Sequence, residues 1–300
     1  MPTSSQFVFI SSTPTIIPSI IFSVLFLFTT CLQLHRIIQT RRRVYIFLFM
    51  FSLLRTILFI IRIMWSKNTQ NKVLAISSGI LISSAFFIIV LAVYNLLIDW
   101  VLITTNVSQI TTDHSSSQLH STKLTFYERY SINIVKFLLP AFSLLAVIGS
   151  IKEFDSNTLV SLNHSLAKGD ILIKISTICF LTSMVFYMIL ITYFALKYSN
   201  KPIQSQLKVL VLYIVGALLL IGLIYRTFMI FAPSTDKINK INKYSWIFYV
   251  FESLPEVLIL IILGGVILGE WFFEDDNIDL TNIKTVSIGS VNRVNATSNV

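Results

Sequence analysis

Long apolar runs separated by short polar segments fill most of the chain. Seven runs stand out: Thr15–Leu34, Val44–Met64, Ile76–Ile103, Ile132–Ile151, Ile171–Leu196, Leu207–Ala232 and Trp246–Leu268. At 1.5 Å rise per residue, ~20 predominantly apolar residues cross the hydrocarbon of a bilayer as a helix. None of the runs alternates with a period of two, as a membrane-barrel strand would, so each predicts a helix that satisfies its own backbone. The third and fifth are long enough to tilt or to continue beyond the membrane. The fourth is the weakest, carrying Lys136 and Pro140, and it leaves counts of six or eight open beside seven.

Composition supports the same class. Of 300 residues, 55% are apolar and 12% charged, where a soluble domain carries about 25% charged residues. Such a chain cannot clothe itself in polar surface, so its solvent is largely lipid. The expected fold is all-α: a polytopic membrane protein forming a seven-transmembrane helix bundle over 15–269. A tail of 1–14 precedes it, and a Ser-, Thr- and Asn-rich tail of 270–300 follows. The segment Thr104–Thr125 is polar and serine-rich, and it reads as a loop with little order.

The net charge of +9 would suggest nucleic acid in a soluble protein. Here the basic residues gather at the ends of apolar runs, where they set orientation, and no nucleic acid is implied. The first loop, HRIIQTRRR, holds four arginines and the N-terminal tail has no basic residue. This puts the N-terminus outside, the first loop in the cytosol and, after seven spans, the C-terminus in the cytosol. The same absence of basic residues in MPTSSQFVFISSTPT lacks the start of a cleaved signal, so the first run is expected to stay as a span.

No catalytic chemistry is visible. Cys31 and Cys179 lie within apolar runs, and the histidines sit in polar segments or at a run's end. There is no HExxH, CxxC, Walker loop or GxSxG, so neither a metal, a cofactor nor an enzyme is expected.

The informative residues are charges inside the spans. An acidic residue at a helix centre costs roughly 2.5–3.5 kcal/mol on insertion scales. Yet Glu252 and Glu256 lie four apart in WIFYVFESLPEVLILIIL, and Arg55 and Arg62 lie seven apart in LLRTILFIIRIMW. Each pair shares a helix face. Arg226 joins them from the sixth run. Rise per residue puts Arg226 and Glu252 both ~9 Å from the outer boundary. The reading is an outer layer of Arg226, Arg62 and Glu252 above an inner layer of Arg55 and Glu256, with the seventh helix beside the second and sixth. Pro255 frees the carbonyl of Phe251 and marks a hinge. Two roles stay open for the cluster, structural pairing or a seat for a ligand or proton. Asn95 and Asp99, four apart near the inner end of the third run, form a second polar pair. Arg41, Arg42 and Arg43 offer a contact for anionic lipid headgroups or an acidic cytosolic partner, beside their plain role in topology.

Seven spans evoke G-protein-coupled receptors, but no CWxP or NPxxY is present, and Glu128-Arg129-Tyr130 falls far beyond the third run. The stretch FYVFESLPEVLILIIL, with Glu252, Leu254 and Pro255, resembles the last span of the tobamovirus multiplication protein family. RRRVYIFLFMFSLLRTILFIIRIMW and SAFFIIVLAVYNLLIDWVL resemble its second and third spans and those of related lysosomal orphan seven-span receptor-like proteins. The exit of the last run, GEWFFEDDNID, is acidic where the plant family is basic. The resemblance implies a receptor-like scaffold or signalling protein that recruits a cytosolic protein at a vacuolar or lysosomal membrane, in preference to the plasma membrane. The competing class is a proton-coupled transporter using Glu252 and Glu256.

Overall fold

A computed structural model describes residues 15–41, 43–68, 71–112, 126–154, 159–197, 203–231 and 246–265. All regular structure among these residues is helical. The helices are α1 (Ile16–Thr40), α2 (Arg43–Lys67), α3 (Lys72–Thr112), α4 (Phe126–Phe154), α5 (Leu159–Lys197), α6 (Ile203–Phe231) and α7 (Trp246–Gly265). Six of them, α1, α2, α3, α5, α6 and α7, contain stretches long and apolar enough to cross a membrane. The fourth expected span lies within α4, whose described apolar part is Phe137–Lys152, shorter than the ~20 residues of a full span.

The helices outrun the apolar runs. α3 continues to Thr112, through the first part of the segment read as a loop, and α5 begins at Leu159, well before Ile171. Hydropathy marks only the lipid-immersed part of a helix. Backbone pairing continues in water at no penalty once the helix is nucleated. Residues 113–125, the tails 1–14 and 270–300, and Arg42 lie outside the described residues.

Short connections set the early topology. Arg41 closes α1 in the left-handed conformation (φ 51°), with its N–H on the Ile37 carbonyl at 2.9 Å, a helix-ending geometry more often taken by glycine. The Asn71 side chain caps α3, accepting from the N–H of Val73 at 3.0 Å and of Leu74 at 3.4 Å. These tight turns make α1, α2 and α3 successive antiparallel neighbours.

Consecutive helices then pack side by side from α1 to α7, and α7 closes the ring against α1. α3 also reaches α5 and α6, and α2 reaches α7, so both lean into the interior. Lipid tails are as apolar as leucine, so burial alone does not hold such helices together; close packing and interhelical hydrogen bonds do. Most interfaces carry a polar stitch. Thr30 donates to Ser52 (3.0 Å, α1–α2), Tyr94 to the Ser183 carbonyl (2.5 Å, α3–α5), and Ser176 to the Phe142 carbonyl (2.7 Å, α4–α5). Thr192 and Tyr213 share a bond at 2.6 Å between α5 and α6. Gly149 lets α4 approach α5: a Cβ there would stand 2.9 Å from Ile173 Cγ1. Large apolar side chains point outward, such as Ile17 at 72% and Phe28 at 64% exposure, as lipid-facing surface does.

Candidate functional site

The site is built on α7, and α7 is not a uniform helix. Trp246–Phe248 is α-helical, Tyr249–Ser253 is a π turn, and Leu254–Gly265 returns to α. The π turn is closed by the Leu254 N–H on the Tyr249 carbonyl, one residue wider than an α turn. Pro255 follows at once. Lacking an N–H, it cannot serve the Phe251 carbonyl in the α register. That carbonyl faces α6 at Gly222, where a Cβ would stand 3.6 Å from it.

Glu252 lies within this irregular turn and Glu256 just past it; both are buried, as are Arg55 and Arg62 on α2. Glu252 Oε1 accepts from Arg226 Nη2 at 2.5 Å and Nε at 3.1 Å, and from Arg55 Nη2 at 3.5 Å. Arg55 Nη2 also donates to Glu256 Oε1. One carboxylate oxygen therefore joins α2, α6 and α7, and Arg55 joins the two layers expected from helical rise. Arg226 further reaches the Ile82 carbonyl of α3 at 3.4 Å.

Each guanidinium also lies over an aromatic ring. Arg55 is 5.6 Å from the centroid of Phe51, Arg226 is 4.8 Å from Phe86, and Arg62 is 4.1 Å from Phe248 and 5.5 Å from Tyr249. Cation–π contact is stronger where water is excluded, about 2 kcal/mol or more. The aromatic start of the seventh run thus serves the cations as well as the interface. Around Tyr249 the rings continue: Phe22 and Phe59 pack on each other and on Tyr249, and Phe26 stacks on Phe59, at centroid distances of 5.5 to 6.0 Å. The Tyr249 hydroxyl meets Ser19 Oγ at 2.7 Å.

Several buried polar atoms at this centre have no hydrogen-bond partner among the described residues: Arg55 Nε and Nη1, Glu256 Oε2 and Ser253 Oγ. The ion network is therefore incompletely satisfied, which in a low-dielectric interior is the costly condition.

A second polar join lies at the other end of α7. Gln33 Nε2 donates to the Leu260 carbonyl at 3.1 Å, and Arg36 Nε to the Gly264 carbonyl at 3.1 Å. A cation at a helix C-terminus meets the negative end of its dipole. A Cβ at Gly264 would fall 2.6 Å from Gln33 Nε2 and 2.8 Å from Leu32 Cδ2, so the contact with α1 excludes a side chain. Gln33 and Arg36 lie three apart in CLQLHR, one face of a helix; that spacing was the available signal.

The remaining expected residues lie apart. Asn95 and Asp99 are half-buried on α3, and Asn95 is roughly 20 Å along the helix from Ile82. Arg41 and Arg43 are exposed at the α1–α2 turn. Among the described residues no group of three His, Cys, Asp or Glu side chains is placed to hold a metal.

Set against family models, curated proteins and solved structures, the chain matches none.

Proposed function

We propose that this chain is a receptor-like seven-span integral membrane protein of the tobamovirus multiplication protein type, acting as a scaffold or signalling protein without catalytic chemistry. Its N-terminus would lie outside, its C-terminus in the cytosol, and its home would be an endomembrane. The observation that carries the reading is the Glu252 fork. A carboxylate held by two arginines from different helices is a fastener, and it supports a ring whose polar ends, including Arg41–Arg43, are left to meet anionic lipids or a cytosolic protein. The closed packing order α1 to α7 supports counting α4 as a span, since its 29 residues extend roughly 43 Å as helix.

Glu256 Oε2, without a hydrogen-bond partner among the described residues, favours one second reading, a proton-coupled carrier in which the carboxylates load and unload protons. Flux across liposomes separates the two. Purified protein in liposomes loaded with a pH-sensitive dye should show no proton movement above empty liposomes under an imposed potential. Flux that disappears in folded Glu252→Gln or Glu256→Gln would replace the scaffold reading with the carrier.

A further inference from the structure

We propose that α7 is a two-piece element that pivots at its π turn and Pro255, its 254–265 piece swinging away from α1 while its 246–250 piece stays clamped. Three observations carry this. First, the helix ladder is weakest at one place. The π turn spans Tyr249–Ser253, Pro255 withholds the next N–H, and the Phe251 carbonyl faces the bare backbone of Gly222. Sharp bends in helices occur at such points.

Second, the two pieces are anchored separately and by different means. The outer piece is held by an aromatic stack, Tyr249 with Phe22 and Phe59, by the Ser19 hydroxyl, and by Arg62 over Phe248. The other piece ends in two side-chain-to-carbonyl bonds from α1, Gln33 to Leu260 and Arg36 to Gly264. The second of these is only part-buried, so water can replace it at little cost.

Third, the polar atoms left without partners cluster at the joint. Ser253 Oγ, Glu256 Oε2 and two nitrogens of Arg55 are buried and unpaired among the described residues. A half-satisfied network lowers the stability of the closed arrangement and leaves donors and acceptors to re-pair when the lower piece turns. Glu252, held by Arg226, marks the fixed side of the joint, and Glu256 rides on the moving side, its direct ion pair made with Arg55. Opening would part α7 from α1 at the end of the bundle that carries Arg36, Arg41 and Arg43, creating a cleft lined by basic residues. A pivot of about 20° over the roughly 15 Å from Pro255 to Gly265 moves that end by about 5 Å.

Spin labels on full-length protein in lipid nanodiscs test this. In a Cys31→Ser, Cys179→Ser background, one pair of labels replaces Ile17 and Val250, the other Leu34 and Ile261; all four positions are exposed. Removing the latch with Gln33→Ala and Arg36→Ala should lengthen the Leu34–Ile261 distance by about 3 Å, since Ile261 lies about 9 Å from Pro255, and leave Ile17–Val250 unchanged. Adding Pro255→Ala should at least halve the lengthening. Where the double latch variant fails to assemble, Gln33→Ala alone carries the same measurement. A rise in both distances, no change in either, or a lengthening undiminished by Pro255→Ala overturns the pivot.

Discussion

Arg226 grips Glu252 with two nitrogens, Nη2 at 2.5 Å and Nε at 3.1 Å from the same oxygen. Breaking a buried pair by removing one partner costs about 3–5 kcal/mol, because the survivor keeps its charge without compensation. Arg226→Glu and Glu252→Arg should therefore each lower the yield of folded protein, read as the monodisperse fraction after detergent extraction. The double exchange should recover only part of it. The guanidinium introduced at 252 would face Arg55, which now lies 3.5 Å from the Glu252 carboxylate. No recovery would mean that the pair does not hold α6 to α7.

Arg62 tests a different force. Its guanidinium lies 4.1 Å from the Phe248 ring centroid. Phe248→Leu keeps the volume roughly constant and removes the π face, so it should destabilise by about 1–2 kcal/mol. Phe248→Tyr should be near neutral. Arg62→Lys should behave like the Leu variant, since an ammonium lacks the flat stacking surface. The monodisperse fraction left after stepwise heating in detergent ranks the three.

The physical reasons some of this was legible are specific. Insertion of Arg55, Arg226, Glu252 and Glu256 into hydrocarbon is so unfavourable that pairing is the expected outcome, and 1.5 Å per residue then gives their levels. The sequence pattern located the helices because apolarity is what lipid demands. It did not locate their ends, since the polar extension of α3 to Thr112 satisfies its backbone whether or not lipid surrounds it. The π turn was invisible because it is a compromise between Pro255 and three helices packed around it, a tertiary matter. The place of Arg62 over Phe248 is not legible from charge pairing, because ring faces compete with carboxylates for a buried guanidinium. Gln33 carries no charge to mark it in the sequence, although a lone amide in an apolar helix has the same need for a partner as the charges do.

The contact at Gly264 yields a prediction about the latch. A Cβ there would stand 2.6 Å from Gln33 Nε2, so Gly264→Ala must push the amide off the Leu260 carbonyl. The expected loss is about 1–3 kcal/mol from crowding together with the broken bond. Gln33→Ala alone should cost about 1 kcal/mol. Since the first change already breaks the bond, the two should combine to less than their sum, and a strictly additive melting shift would mean that Gly264 and Gln33 do not meet.

The number of spans is fixed by whether α4 crosses. Seven crossings leave residues 1–14 and 270–300 on opposite sides of the membrane; six leave them on the same side. Epitope tags at both ends, probed by protease in sealed vesicles, should show one protected and one cleaved. The tag nearer α1 should be the lumenal one, because four arginines at positions 36, 41, 42 and 43 bias that turn to the cytosol. Replacing Arg41, Arg42 and Arg43 with Gln should weaken the bias and yield a mixed population. Equal protection of both tags would remove α4 from the bilayer and leave it lying beside α3 and α5 at the surface. Its tight approach to α5 at Gly149, and the Ser176 bond to the Phe142 carbonyl, would be hard to keep there. Both contacts engage the apolar stretch of α5, at Ile173 and Ser176, and that is why protection of a single tag is the expected outcome.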